Sequence, residues 1–115
     1  LGVQVMAGTD TGNSPVMPYG VLHAHEAEVM VKFGGYTPLE AITASTKDNA
    51  YSVGMEGELG VIEAGKLADL LILDADPLDD IRVLQGGKHL NSVIKDGRRV
   101  DLSAQPEDET VLALP

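Results

Sequence analysis

Val3-Gln4-Val5-Met6-Ala7-Gly8-Thr9-Asp10 is an apolar run that closes on a glycine, a hydroxyl and an acid. A short apolar run bounded by turn residues reads as a buried strand. An acid at the end of such a strand stands at the rim of a parallel α/β sheet or barrel, where the reactive side chains of those folds gather. Asp10 is therefore the first candidate for chemistry, against the plainer reading of a strand-end turn or helix cap. A first strand that is both buried and catalytic, with no initiator Met at position 1, sets the expectation that the chain is the C-terminal part of a longer enzyme.

Outward from Asp10, Thr11 to Gly20 is a stretch of turn formers without periodicity and reads as a loop following the strand. From Val21 to Phe33 the spacing of Leu22, Val29, Met30 and Phe33 predicts a helix, ended by Gly34-Gly35. Thr37, Pro38 and Glu40 form the clearest start signal: a capping threonine, proline in the first turn and an acid three residues after the cap. That helix carries Leu39, Ile42, Ala50 and Val53 along one side, runs to Gly54, and offers Ala41, Ala44, Ser45 and Ala50 for close packing. Beyond about residue 55 glycines punctuate the chain. Leu70 to Leu73 is apolar on both faces and predicts an interior strand. Asp76 to Ile81 reads as a turn or short helical loop. Asp96-Gly97 between Ser92-Val93-Ile94-Lys95 and Arg98-Arg99-Val100 is a hairpin signal.

Composition excludes several function classes. With 18 acidic against 8 basic residues the chain has no basic patch for nucleic acid, and it suits an anionic membrane surface equally poorly. No apolar stretch approaches the ~20 residues of a membrane span. The absence of cysteine removes thiolate ligands and disulfides, which leaves His and carboxylate as metal donors and fits a cytoplasmic protein. One Phe, three Tyr and no Trp mean that any core must be aliphatic and rich in alanine.

Several motifs in order resemble those of the metal-dependent amidohydrolases, in particular the branch of imidazolonepropionases and Xaa-Pro dipeptidases. They are Gly8-Thr9-Asp10; Gly34-Gly35-Tyr36-Thr37-Pro38-Leu39-Glu40-Ala41-Ile42 with Ala44-Ser45-Thr46; Leu59 to Leu70 with its Gly65-Lys66-Leu67-Ala68-Asp69-Leu70; Asp74-Ala75-Asp76-Pro77-Leu78; and Asp96-Gly97-Arg98-Arg99-Val100. The resemblance implies an α/β fold, the C-terminal part of a (β/α)₈ TIM-type barrel whose eighth strand is Val3 to Ala7. Residues 1–55 would end the barrel, residues 56–102 would be the C-terminal portion of a small composite β-sandwich, and residues 103–115 an acidic tail. In that family the aspartate after strand eight ligates a divalent metal and takes the proton from the attacking water, and Asp10 is the matching position. Zinc is the first choice of metal, as one or two ions, with iron or manganese accepting the same ligands. The other expected ligands, a His-x-His pair, a carboxylated lysine or acidic substitute and two further histidines, would precede Leu1. The substrate implied is a small-molecule amide, dipeptidase-like action leading and deaminase or lactamase-type action on a ring close behind. The isolated chain is expected to be inactive, and a homo-oligomer is left open.

Other residues invite sharper readings. His23 borders the loop after Asp10 and is a candidate substrate contact beside its capping or surface alternatives. His23 and His25 lie two apart, so they fall on different sides of a helix and do not form a metal pair. Glu26 and Glu28 read as solvated or paired outer-face residues. Asn13, Ser14, Met17 and Tyr19 sit on the candidate substrate loop, Gly65-Lys66 is a turn and not a phosphate loop, and His89 reads as surface. A second hypothesis, a free-standing interaction or assembly module, expects the chain to fold alone with Leu70 to Leu73 buried, dimerisation being one way to replace the missing sheet partners.

Overall fold

The computed structural model of the protein describes residues 3–11 and 21–103. The loop positions Asn13, Ser14, Met17 and Tyr19 and the tail from residue 104 onward lie outside the described residues. Helix α1 spans Val21–Phe33, as the sequence predicts. It ends because Gly35 takes the left-handed conformation at φ 74°, which lets Tyr36 N–H reach back to the Met30 carbonyl at 3.2 Å.

Helix α2, Pro38–Thr43, starts on the capping box read from the sequence: Thr37 Oγ1 accepts from Glu40 N–H at 3.3 Å while Glu40 Oε2 accepts from Thr37 N–H at 2.8 Å. The single long helix expected up to Gly54 is instead three consecutive pieces. A π-helical turn over Ala44–Asp48 separates α2 from α3, Asn49–Ser52. Hydroxyls explain why the ladder can loosen there. Thr43, Ser45 and Thr46 each donate to the carbonyl four residues back, at 2.8, 2.8 and 2.7 Å, and so supply partners for Leu39, Ala41 and Ile42.

The core lies where α1 meets α2 and a 3₁₀ turn over Ile81–Leu84, and it consists of Ala27, Met30, Ala41, Ala44 and Ile81. The small residues do pack closely, as expected. Large ones do not follow the sequence pattern: Phe33, Leu39 and Val53 are all exposed, because the α1–α2 contact covers only one side of each helix.

Strands β1 (Leu70–Leu73), β2 (Leu90–Lys95) and β3 (Arg98–Arg99) form an antiparallel sheet in the order β1-β2-β3. Leu70 faces Ile94 and Leu71 faces Val93, with an irregularity between Ile72 and Leu73. Asp96 at φ 50° and Gly97 at φ 72° make the tight turn between β2 and β3, both left-handed as a two-residue hairpin of this hand requires.

Val3–Ala7 is extended chain that pairs in a ladder with no other described residue. One expectation is corrected. Leu70–Leu73 is not interior: Leu71 is 60% and Ile72 44% exposed, because β1 is an edge strand and no second layer of the described residues covers it. No described helix is long and apolar enough to cross a membrane.

Candidate functional site

The segment bearing Asp10 is attached to the second helical stretch by two side-chain amides. Gln4 Nε2 donates to Asp48 Oδ1 at 2.8 Å, and Asn49 Nδ2 donates to the Ala7 carbonyl at 3.0 Å. Ala7 itself packs against the alanine-rich core. Past it, Thr9 Oγ1 donates to Thr11 Oγ1 at 3.2 Å, and Asp10 stands exposed between them at φ 48°. Aspartate is one of the few residues apart from glycine that tolerate this left-handed backbone. Asp10 makes no hydrogen bond to another described residue and is open to solvent.

His23 lies exposed on α1, whereas His25 is 6% exposed on another side, as their two-residue separation requires. No hydrogen bond joins His23 to Asp10 among the described residues. His25 Nδ1 lies 3.4 Å from Glu28 Oε2, close enough for attraction to a protonated ring, yet that nitrogen has no hydrogen bond to a described residue. Glu28 is buried, not solvated, and accepts from Gln85 Nε2 at 2.7 Å, which ties α1 to the end of the 3₁₀ turn. Glu26, half-buried, sits one residue from the core position Ala27.

The remaining charged groups hold turns. Asp69 bonds the Lys95 ammonium and accepts from Asp96 N–H at 2.7 Å, so one carboxylate clamps the hairpin turn from outside its own strand pair. The Lys95 bond, then the Asp96 amide, hold the Asp69 carboxyl below the usual range. The Arg82 guanidinium, through its side chain and then its own N–H, lowers Asp80 to about 2. His89 is partly exposed and meets Asp74 at 2.8 Å. Lys66 donates its ammonium to the Glu56 carbonyl in the turn closed by Gly65 at φ 92°, a structural role in keeping with its reading as a turn residue.

Among the described residues no three His, Asp or Glu side chains are grouped to hold a metal ion. Asp10 offers an oxygen donor of the kind zinc, iron and manganese accept, but one donor is not the three or four that a protein site needs. The described residues thus do not make a metal site by themselves.

The sequence reading missed Asn49. Its signal was its type: asparagine is a poor helix-interior residue whose amide seeks partners off the helix, and here it sits directly after the π-helical turn.

The amidohydrolase family profile matches residues 1–100. The chain is 40% identical over 98 residues to an ochratoxinase of Aspergillus niger, covering 84% of this chain and 19% of that protein. It is 46% identical over 63 residues to an imidazolonepropionase of Rubrobacter xylanophilus, covering 55% of this chain and 15% of that one. Among solved structures, a Xaa-Pro dipeptidase with bound methionine in its active site superposes with a TM-score of 0.74 at 36% identity, over 87% of this chain and 23% of that chain. The chain thus spans only 15% and 19% of the length of these two curated relatives.

Proposed function

This chain belongs to the amidohydrolase family, and on that premise we propose that it forms part of a metal-dependent hydrolase that cleaves a carbon–nitrogen bond in a small amide or cyclic amide. Residues 1–55 close a (β/α)₈ barrel with Val3–Ala7 as its last strand. Residues 56–102 join a small β-sandwich, and residues 103–115 are an acidic tail. Two features support this division: Val3–Ala7 lacks a ladder partner among the described residues, and the apolar strand β1 is bare.

One observation carries the reading. The family match spans residues 1–100, which takes in Asp10 and the hairpin, and Asp10 stands at the close of an anchored segment with its carboxylate engaged by no other described residue. In that position Asp10 accepts a proton from water as its oxygen adds to the amide carbonyl. It then gives the proton to the departing nitrogen, so that the C–N bond breaks to a carboxylic acid and an amine. Asp10 would also be this chain's one ligand to a divalent ion, zinc first, completed by donors outside these residues. Such an ion, when bound, lowers the pKa of water and polarises a carbonyl. His23, exposed on α1 just beyond the loop that follows Asp10, is offered to the substrate.

The ochratoxinase, imidazolonepropionase and Xaa-Pro dipeptidase among its relatives support an amide as the substrate class, with peptide-like and ring amides both in scope. The first measurement is the nucleotide sequence upstream of Leu1, where a continuous frame carrying a His-x-His pair is expected. In the polypeptide so defined, Asp10→Asn should lower kcat for an N-acyl amino acid or dipeptide by about 10²–10⁴-fold, and the 115-residue chain alone should be inactive. A variant as active as the parent overturns the role given to Asp10.

A further inference from the structure

We propose that Asn49 is a positioning residue for Asp10, acting through the backbone carbonyl of Ala7. The inference rests on the reading of Asp10 as the proton-carrying carboxylate.

The segment Val3–Thr11 has no sheet partner among the described residues, so its placement depends on side chains from elsewhere. Two reach it. The Gln4–Asp48 bond is exposed, where water competes with both partners, while the Asn49–Ala7 bond is partly buried. Asn49 is also the later of the two attachments along the segment. Beyond Ala7, Gly8 is exposed, and a methyl group added there would meet nothing within 4 Å, so no neighbour packs on that side of the backbone. The 3.0 Å bond at the Ala7 carbonyl is therefore the last long-range hydrogen bond before Asp10 among the described residues.

The π-helical turn explains how Asn49 comes to face this carbonyl. A residue advances about 100° around an α-helix, so the extra residue taken up by the wide turn over Ala44–Asp48 turns everything after it by about that angle. Asn49 follows the turn directly, and its amide bridges Ala7 at 3.0 Å and the Ser45 carbonyl at 3.4 Å. Such wide turns recur where a helix has to aim a functional group. Both bonds are donated by the same nitrogen, which an aspartate at this position would replace with an acceptor facing acceptors.

The test uses the active polypeptide that contains this chain, with Asp10→Asn, Asn49→Ala and Asn49→Gln assayed in parallel on the same amide. Asn49→Ala is expected to lower kcat about 10–100-fold with KM within twofold, since a small misplacement of a reacting group acts on the chemical step. Asn49→Gln, which keeps the donor on a longer arm, should recover part of that loss. Hydrogen exchange read by mass spectrometry should quicken at residues 8–10 in Asn49→Ala while α1 keeps its protection, and if the alanine variant does not fold, the kinetics of Asn49→Gln and its exchange at residues 8–10 decide. Unchanged kcat and exchange in the folded Asn49 variants, with Asp10→Asn inactive, overturns the role of Asn49 and leaves that of Asp10 standing. An active Asp10→Asn overturns both.

Discussion

Gly60 and Gly65 share nearly the same backbone, at φ 91° and 92°, but not the same surroundings, and this pair separates backbone strain from packing. A Cβ on Gly60 would lie 2.7 Å from Ala50 Cβ, 3.0 Å from Lys47 Cα and 3.1 Å from the Thr46 carbonyl oxygen. A Cβ on Gly65 would meet nothing within 4 Å. Alanine at either position carries the left-handed cost of about 1–2 kcal/mol. Only Gly60→Ala must also push apart the loop and the π-helical turn, an overpacking cost of about 1–3 kcal/mol. With a urea m-value of ~1.5 kcal/mol/M, that excess separates the two midpoints by roughly 0.7–2 M. Equilibrium urea unfolding followed by circular dichroism reads the difference directly. Adding Ala50→Gly to Gly60→Ala should return part of the excess, because it removes the nearest atom; alone it costs about 1 kcal/mol as a helix glycine. Equal midpoints for Gly60→Ala and Gly65→Ala would refute the idea that the π-helical turn seats the loop through Gly60.

Acid should weaken the chain through Asp69 and Asp80. Both carboxyls are depressed in the folded state, so their stabilisation is present above the unfolded pKa near ~4 and is lost as pH falls through the folded values, about 2 for Asp80. A urea midpoint that drops between about pH 4 and pH 2, and drops less in Asp69→Asn/Asp80→Asn, is the expected result. Glu28→Ala strips the partner from Gln85 at a buried position and should cost about 1–3 kcal/mol, measured by thermal or urea unfolding; a neutral effect would mean that water reaches the site. Leu71→Thr, on the bare face of β1, should change stability by no more than ~0.5 kcal/mol, whereas Ile81→Ala, 5% exposed in the core, should cost about 2–5 kcal/mol. The reverse order would restore β1 to an interior.

Local chemistry carried much of this architecture into view. The Thr37–Glu40 capping box, Gly35 at the end of α1 and the Asp96-Gly97 turn each act over a few residues, so the sequence alone places them. Relations that depend on distant partners were less visible. Val3–Ala7 has the pattern of a strand but no partner among the described residues, and Leu70–Leu73 has the pattern of an interior strand but lies at a sheet edge. The π-helical turn follows from three hydroxyls in sequence, a signal hidden inside what otherwise reads as one long helix. At the candidate site Asp10 was legible from its motif. Asn49 and the buried Glu28 were not, because a carbonyl 42 residues away and an amide 57 residues away decide what they do.

Three of the five residues at the centre of the core, Ala27, Ala41 and Ala44, have no atom beyond Cβ. Substitution there has only one direction in volume, upward, apart from glycine. A core of larger side chains can exchange one for another and drift while keeping its total volume, but these three alanines offer nothing to trade. Helices α1 and α2 therefore keep their separation by having almost nothing between them. Over time the three alanines should be the most rigidly kept positions of the chain, while variation collects on the exposed apolar residues around them.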